Sequence, residues 1–148
     1  MTFPRLPDHQ RAWALVERDD GVVYRLYGAM AGPRLPHDIM HLVVERELRI
    51  RDGIWGGIAA GVVFDSMRAE LLADVVSSAA ALDTLTQDKI RRLAADKLSV
   101  LPGTEVDPVV IAGAARAVQV EAARWARLRV GQELTYDWPG SKRPEQVT

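Results

Sequence analysis

Two of the three histidines in this chain, His37 and His41, stand four residues apart in the stretch RLPHDIMHLVVERELRI. Asp38 follows the first, and Glu45 lies four beyond the second. On an α-helix, positions four apart sit one turn above each other, so His37, His41 and Glu45 form a ladder covering about 80° of the helix surface. Two imidazoles at this spacing can grip one metal ion. A carboxylate one turn further completes three protein ligands and leaves a coordination position for water. Zinc, iron, manganese and nickel all accept such donors. The metal set read from the sequence is His37, His41, Glu45 and Asp38. The ion would activate water or polarise a substrate oxygen, with Asp38 and Glu47 as the candidates for proton transfer. The same spacing also makes an ordinary His–Glu pair, which stabilises a helix by roughly 0.2–0.5 kcal/mol without any ion. Both readings stand on the spacing alone.

The element that must hold these groups is a helix from about Pro36 to Ile50, with Pro36 at its first position, where a missing N–H costs nothing, and Gly53 ending it. Ile39, Met40, Val43, Val44, Leu48 and Ile50 make an apolar arc, with Leu42, Arg46 and Arg49 opposite. The ladder falls on the border between core and solvent, a setting that suits the lining of a ligand cleft. Glu47 falls inside the apolar arc and needs a partner or a polar cavity there.

Around this helix the chain reads as α+β and mostly helical, with four to five packed helices and a small antiparallel sheet made by an N-terminal hairpin and a C-terminal strand. The hairpin is AWALVERDDGVVYRLYG, where alternating residues flank Asp20-Gly21, a dipeptide that accepts the positive φ of a tight turn. His9 precedes it in an N-terminus expected to be mobile. In GIWGGIAAGVVF, glycines 53, 57 and 61 would line one face of a helix and admit a close neighbour. Ser66 to Leu82 is helical, as is TLTQDKIRRLAADKL, where Thr84 and Gln87 match a capping box. A longer helix opens with Asp107 as N-cap and Pro108 in the first turn. It runs along Ile111, Ala115, Val118, Ala122 and Trp125 to Gly131. QELTYDWP alternates as a strand. Residues 1–139 form one domain, and the polar 140–148 tail is expected to be disordered.

Composition narrows the function classes. The 148 residues carry a formal net charge of −1, which argues against a bulk electrostatic hold on nucleic acid or anionic lipid. KIRR at 89–92 is too short a basic cluster to overturn this. There is no cysteine, which excludes disulfides, thiolate metal sites and cysteine nucleophiles. No secretory leader is visible, and the longest nearly uncharged apolar run is far shorter than the roughly twenty residues that span a bilayer. The expectation is a soluble cytoplasmic protein that binds neither nucleic acid nor membrane. Trp55, beside glycines, reads as a core plug with its N–H satisfied.

The segment LPHDIMHLVVERELRIRDGIWGGIAAG, residues 35–61, resembles a small bacterial family of uncharacterised proteins with a Leu-Pro-His-Asp opening and a Gly-x-Trp-Gly turn. That resemblance implies no activity. The shorter HDIMH is similar to the His-Asp-x-x-His zinc motif of the helical coenzyme Q biosynthesis protein family. By that resemblance His37, Asp38 and His41 are ligands, while the position of the family's distal glutamate is held here by Gly53, with Asp52 one residue short. The resulting expectation is a divalent-metal-binding domain, carrying zinc or another first-row ion, with a small-molecule cleft at the 36–50 helix. The alternative is a metal-free helical module that docks a partner or forms a homo-oligomer through its alanine- and glycine-rich faces.

Overall fold

A computed structural model describes residues 1–62 and 67–139. Three strands come first: β1 (Thr2–Pro4), β2 (Arg11–Glu17) and β3 (Val23–Met30). Five helices follow: α1 (His37–Glu47), α2 (Ile54–Ala60), α3 (Met67–Ala80), α4 (Gln87–Lys97) and α5 (Pro108–Ala126). A last strand, β4 (Glu133–Thr135), closes an antiparallel sheet of order β3-β2-β1-β4. The chain is therefore α+β and mostly helical, with an N-terminal hairpin and a C-terminal strand in one sheet.

The hairpin forms where alternation and turn chemistry agree. Ala14 and Val16 are fully buried, Trp13 and Leu15 face outward, and Gly21 takes the turn's positive φ of 83°. β4 does not pair with the hairpin directly. It pairs with β1, Phe3 opposite Leu134, and β1 pairs in turn with β2, Thr2 opposite Leu15. β1 is too short to show alternation in sequence, so it emerges only from its two neighbours. His9 is tied down as well: its N–H donates to the Ala31 carbonyl at 3.2 Å.

Inside the sheet lies a core in which Phe3 meets the rings of Trp55 and Tyr136 edge-on at 5.6 and 5.8 Å. α1 runs through the middle, against α2, α3, α5 and β3. It is consequently buried on nearly every side, and Leu42, expected opposite the core, is fully buried with Val43 and Val44. A helix surrounded this way needs apolar residues all round, which a two-faced reading of its pattern underestimates.

Helix ends differ from expectation in three places. α1 stops at Glu47, not at Gly53, because Arg49 turns left-handed at φ 55°. α2 is only seven residues long, and glycines 53 and 61 are its two caps, Gly61 left-handed at φ 72°. The glycine spacing therefore marks the start and end of one short helix, with Gly57 buried between them. α4 is capped by Thr86, whose hydroxyl accepts the Lys89 N–H at 3.4 Å, and not by Thr84. α5 begins as its sequence requires, with Asp107 accepting the Val109 N–H at 2.8 Å and Pro108 in the first turn. Ser66, expected to open α3, and the 140–148 tail lie outside the described residues. No helix among the described residues is long and apolar enough to cross a membrane.

Candidate metal centre on the first helix

His37 and His41 emerge from consecutive turns of α1, and their rings lie 4.4 Å apart between centroids, tilted by 57°. His37 is exposed at the helix start, whereas His41 is 1% exposed. The acid that meets them comes from another helix. Glu70, in the first turn of α3, brings Oε2 to 3.2 Å from His41 Nε2. One ligand atom from each of His37, His41 and Glu70 falls within 4.8 Å of the others. The Glu70 side chain is 47% exposed, so one edge of the cluster is open to solvent.

His41 is unusual for a buried imidazole. Neither ring nitrogen has a well-formed hydrogen bond, although the Glu70 carboxylate stands 3.2 Å from Nε2. Buried polar atoms nearly always find partners, so an orphaned pair of nitrogens calls for an explanation such as an ion or a catalytic role. Burial pushes the His41 imidazole below its ordinary value, and the nearby Glu70 carboxylate pulls it part of the way back. His37 acts in the same direction as burial, and Asp38 opposes it. The net result favours the neutral ring, which has the free lone pair that a metal needs.

Glu45, expected as the third ligand, does other work. Its carboxylate accepts the N–H groups of Ile54, Trp55 and Gly56 at 2.9, 2.8 and 3.2 Å, and so caps the start of α2. It is fully buried, with Oε1 3.9 Å from His41 Nδ1. Burial raises its pKa, while the three backbone donors pull the other way. A Cβ at Gly53 would run into this carboxylate, so glycine is required there for the approach. His41 and Glu45 therefore lie in the interior, under α2, while His37 stays at the solvent border.

The remaining candidates fall elsewhere. Asp38 turns toward β3, where its carboxylate packs against Gly28, and its carbonyl accepts the Trp55 indole N–H at 2.9 Å. Trp55 is thus the buried plug that its setting suggested. Glu47 is exposed at the end of α1 and pairs with Arg46 at 3.2 Å. It lies roughly 9 Å along the helix from His41, at 1.5 Å per residue, which removes it as a proton carrier for the histidines. Asp52 pairs with Arg68 at 3.6 Å. Beside His37 and Asp38, a cleft of about 280 Å³ runs along the 31–36 loop.

Glu70 is the residue that sequence reasoning missed. Its signal is faint: an acid in the first turn of α3, beside the buried stripe of Ala69, Leu72, Ala73 and Val76. Comparison with protein-family models, with curated proteins and with solved structures finds no match to this chain.

Proposed function

We propose that this protein binds a divalent first-row metal ion through His37, His41 and Glu70, and that the ion keeps a position open for water or for an oxygen of a small-molecule ligand. The observation that carries the proposal is the fully buried His41, with both nitrogens unbonded, beside a second imidazole and a carboxylate. Two imidazoles and one carboxylate are the donors of many zinc sites with an open fourth position. With bonds of about 2.0–2.1 Å, ligand atoms of a tetrahedral ion lie roughly 3.3 Å apart. The His41–Glu70 separation of 3.2 Å already matches that spacing. His37 and Glu70 are exposed at the open edge of the cluster. An ion there would act as a Lewis acid on a bound oxygen or lower the pKa of its water. The adjacent 31–36 cleft gives a ligand somewhere to lie.

The test is metal analysis of protein purified without a histidine tag, then dialysed against zinc. The expected result is one equivalent of zinc and a raised Tm, both lost in His41→Ala and Glu70→Ala and retained in Asp52→Ala. Metal-free protein whose Tm ignores zinc, nickel and manganese would overturn the proposal.

A further inference from the structure

At the opposite end of α1 the chain breaks a local rule. α1 ends in a Schellman turn: the Ile50 N–H reaches the Glu45 carbonyl at 2.8 Å, and the Arg49 N–H reaches the Arg46 carbonyl at 3.3 Å. The residue in the left-handed position of this turn is normally glycine, because a side chain there is strained. Here it is Arg49, at φ 55°. The position gains stability from glycine and instead carries a guanidinium.

That guanidinium is one of three around a cleft of about 240 Å³, lined by Arg46, Arg49, Arg51, Trp138 and neighbouring apolar atoms. Arg46 shares its charge with Glu47 at 3.2 Å. Among the described residues, no carboxylate pairs with Arg49 or Arg51. Backbone N–H groups already satisfy the Val44, Glu45 and Arg46 carbonyls, so these need no arginine cap. The loop that presents them is pinned. Glu45 holds the N–H groups at its far end, and the Arg51 carbonyl packs so closely on Gly56 that a Cβ there would collide with it. Guanidinium groups carried on a fixed loop backbone, beside a tryptophan, are suited to a multiply charged oxyanion attached to a planar ring.

We infer that this cleft is an anion site separate from the histidine cluster, taking a small phosphate monoester with an aromatic ring, of the nucleoside monophosphate class. Phosphate engages Arg49 and Arg51, and the ring stacks on Trp138. At about 240 Å³ the cleft is smaller than most enclosed small-molecule pockets, so it holds the phosphate and one face of the ring system without surrounding the ligand.

Calorimetric titration at low ionic strength, with EDTA present to silence any bound metal, tests this with inorganic phosphate, adenosine 5′-monophosphate and adenosine. The nucleotide should bind more tightly than phosphate, and adenosine should not bind. Arg51→Ala and Arg49→Gly should each weaken nucleotide binding by roughly tenfold or more, the worth of a lost charge-assisted contact. Arg49→Gly should at the same time raise Tm by a few degrees, as relief of a left-handed side chain predicts, which separates lost recognition from lost folding. Trp138→Phe should keep phosphate binding. No binding of phosphate or nucleotide at millimolar concentration overturns the site, as does undiminished binding in both arginine variants. A nucleotide no tighter than phosphate overturns the aromatic ligand.

Discussion

The carboxylate of Glu45 accepts the backbone N–H of Trp55 at 2.8 Å, joining the middle of α1 to the start of α2. The indole of the same tryptophan returns to α1, donating to the Asp38 carbonyl at 2.9 Å. The two bonds bracket His41, which lies between Asp38 and Glu45 on the helix. The imidazole is thus held between fixed points, with Nδ1 toward Glu45 and Nε2 toward Glu70. Such a frame fixes the position of the His41 ring.

Removing the Glu45 carboxylate should cost much of the fold's stability. Glu45→Ala leaves the N–H groups of Ile54, Trp55 and Gly56 without their acceptor at the mouth of a buried helix. Buried donors stripped of a charged partner cost about 1–3 kcal/mol each, partly recovered by relaxation, so a loss of about 3–5 kcal/mol is expected in urea unfolding. Glu45→Gln keeps one carbonyl oxygen and should lose less than half as much. Equal losses in the two variants would mean that packing, not hydrogen bonding, makes Glu45 matter.

Two glycine-to-alanine changes should move stability in opposite directions. Gly53 has an ordinary φ of −90°, so alanine fits its backbone, but the new methyl group meets the Glu45 carboxylate. Overpacking of this kind costs about 1–3 kcal/mol. Gly113 lies on the exposed side of α5 with nothing within 4 Å of a Cβ. Gly113→Ala should therefore gain about 0.5–1 kcal/mol of helix propensity. Thermal melts of the pair, side by side, read the difference directly.

If His41 is retained for an ion, the metal-free protein should be better off without it. Its imidazole is buried with no hydrogen bond to either nitrogen. His41→Leu replaces those polar atoms with a side chain of similar bulk and should raise metal-free stability by about 1–2 kcal/mol. The same variant should show no thermal shift on adding zinc. A destabilised His41→Leu would indicate that the imidazole already has a favourable structural role.

What the sequence carried was local. Alternation and Asp20-Gly21 made the hairpin legible, and Asp107-Pro108 made the start of α5 legible, because the deciding contacts lie within a few residues. The His37–His41 pairing is of the same kind, four residues apart on one helix. Glu70 was hidden because it reaches His41 across a helix–helix contact that periodicity does not encode. Glu45 is the opposite case: its spacing fits the ladder, but a short helix nine to eleven residues further on takes up its oxygens. Arg49 ended α1 against the preference for glycine, so the stop was sought at Gly53. β1, three residues long, has no pattern of its own and exists through Leu15 and Leu134 on either side.

A second buried pair makes the fold sensitive to alkaline pH. The Tyr136 hydroxyl donates to Glu121 Oε2 at 2.5 Å, and Arg124 holds the same carboxylate at 2.8 and 3.0 Å. Burial pushes the phenol above its ordinary 10.0, and the bond to Glu121 pushes it further. The folded pKa thus exceeds the unfolded one. Below about pH 10 the tyrosine is protonated in both states and its contribution is complete. Above that, the unfolded chain releases a proton that the folded chain keeps, so stability falls as pH rises, by up to about 1.4 kcal/mol per pH unit. Tyr136→Phe should lose about 2 kcal/mol at neutral pH, the worth of a hydrogen bond to a charged acceptor, and should also flatten the decline. Urea midpoints measured from about pH 8 to about pH 11 check both parts. Parallel declines in the two proteins would assign the alkaline loss to another group.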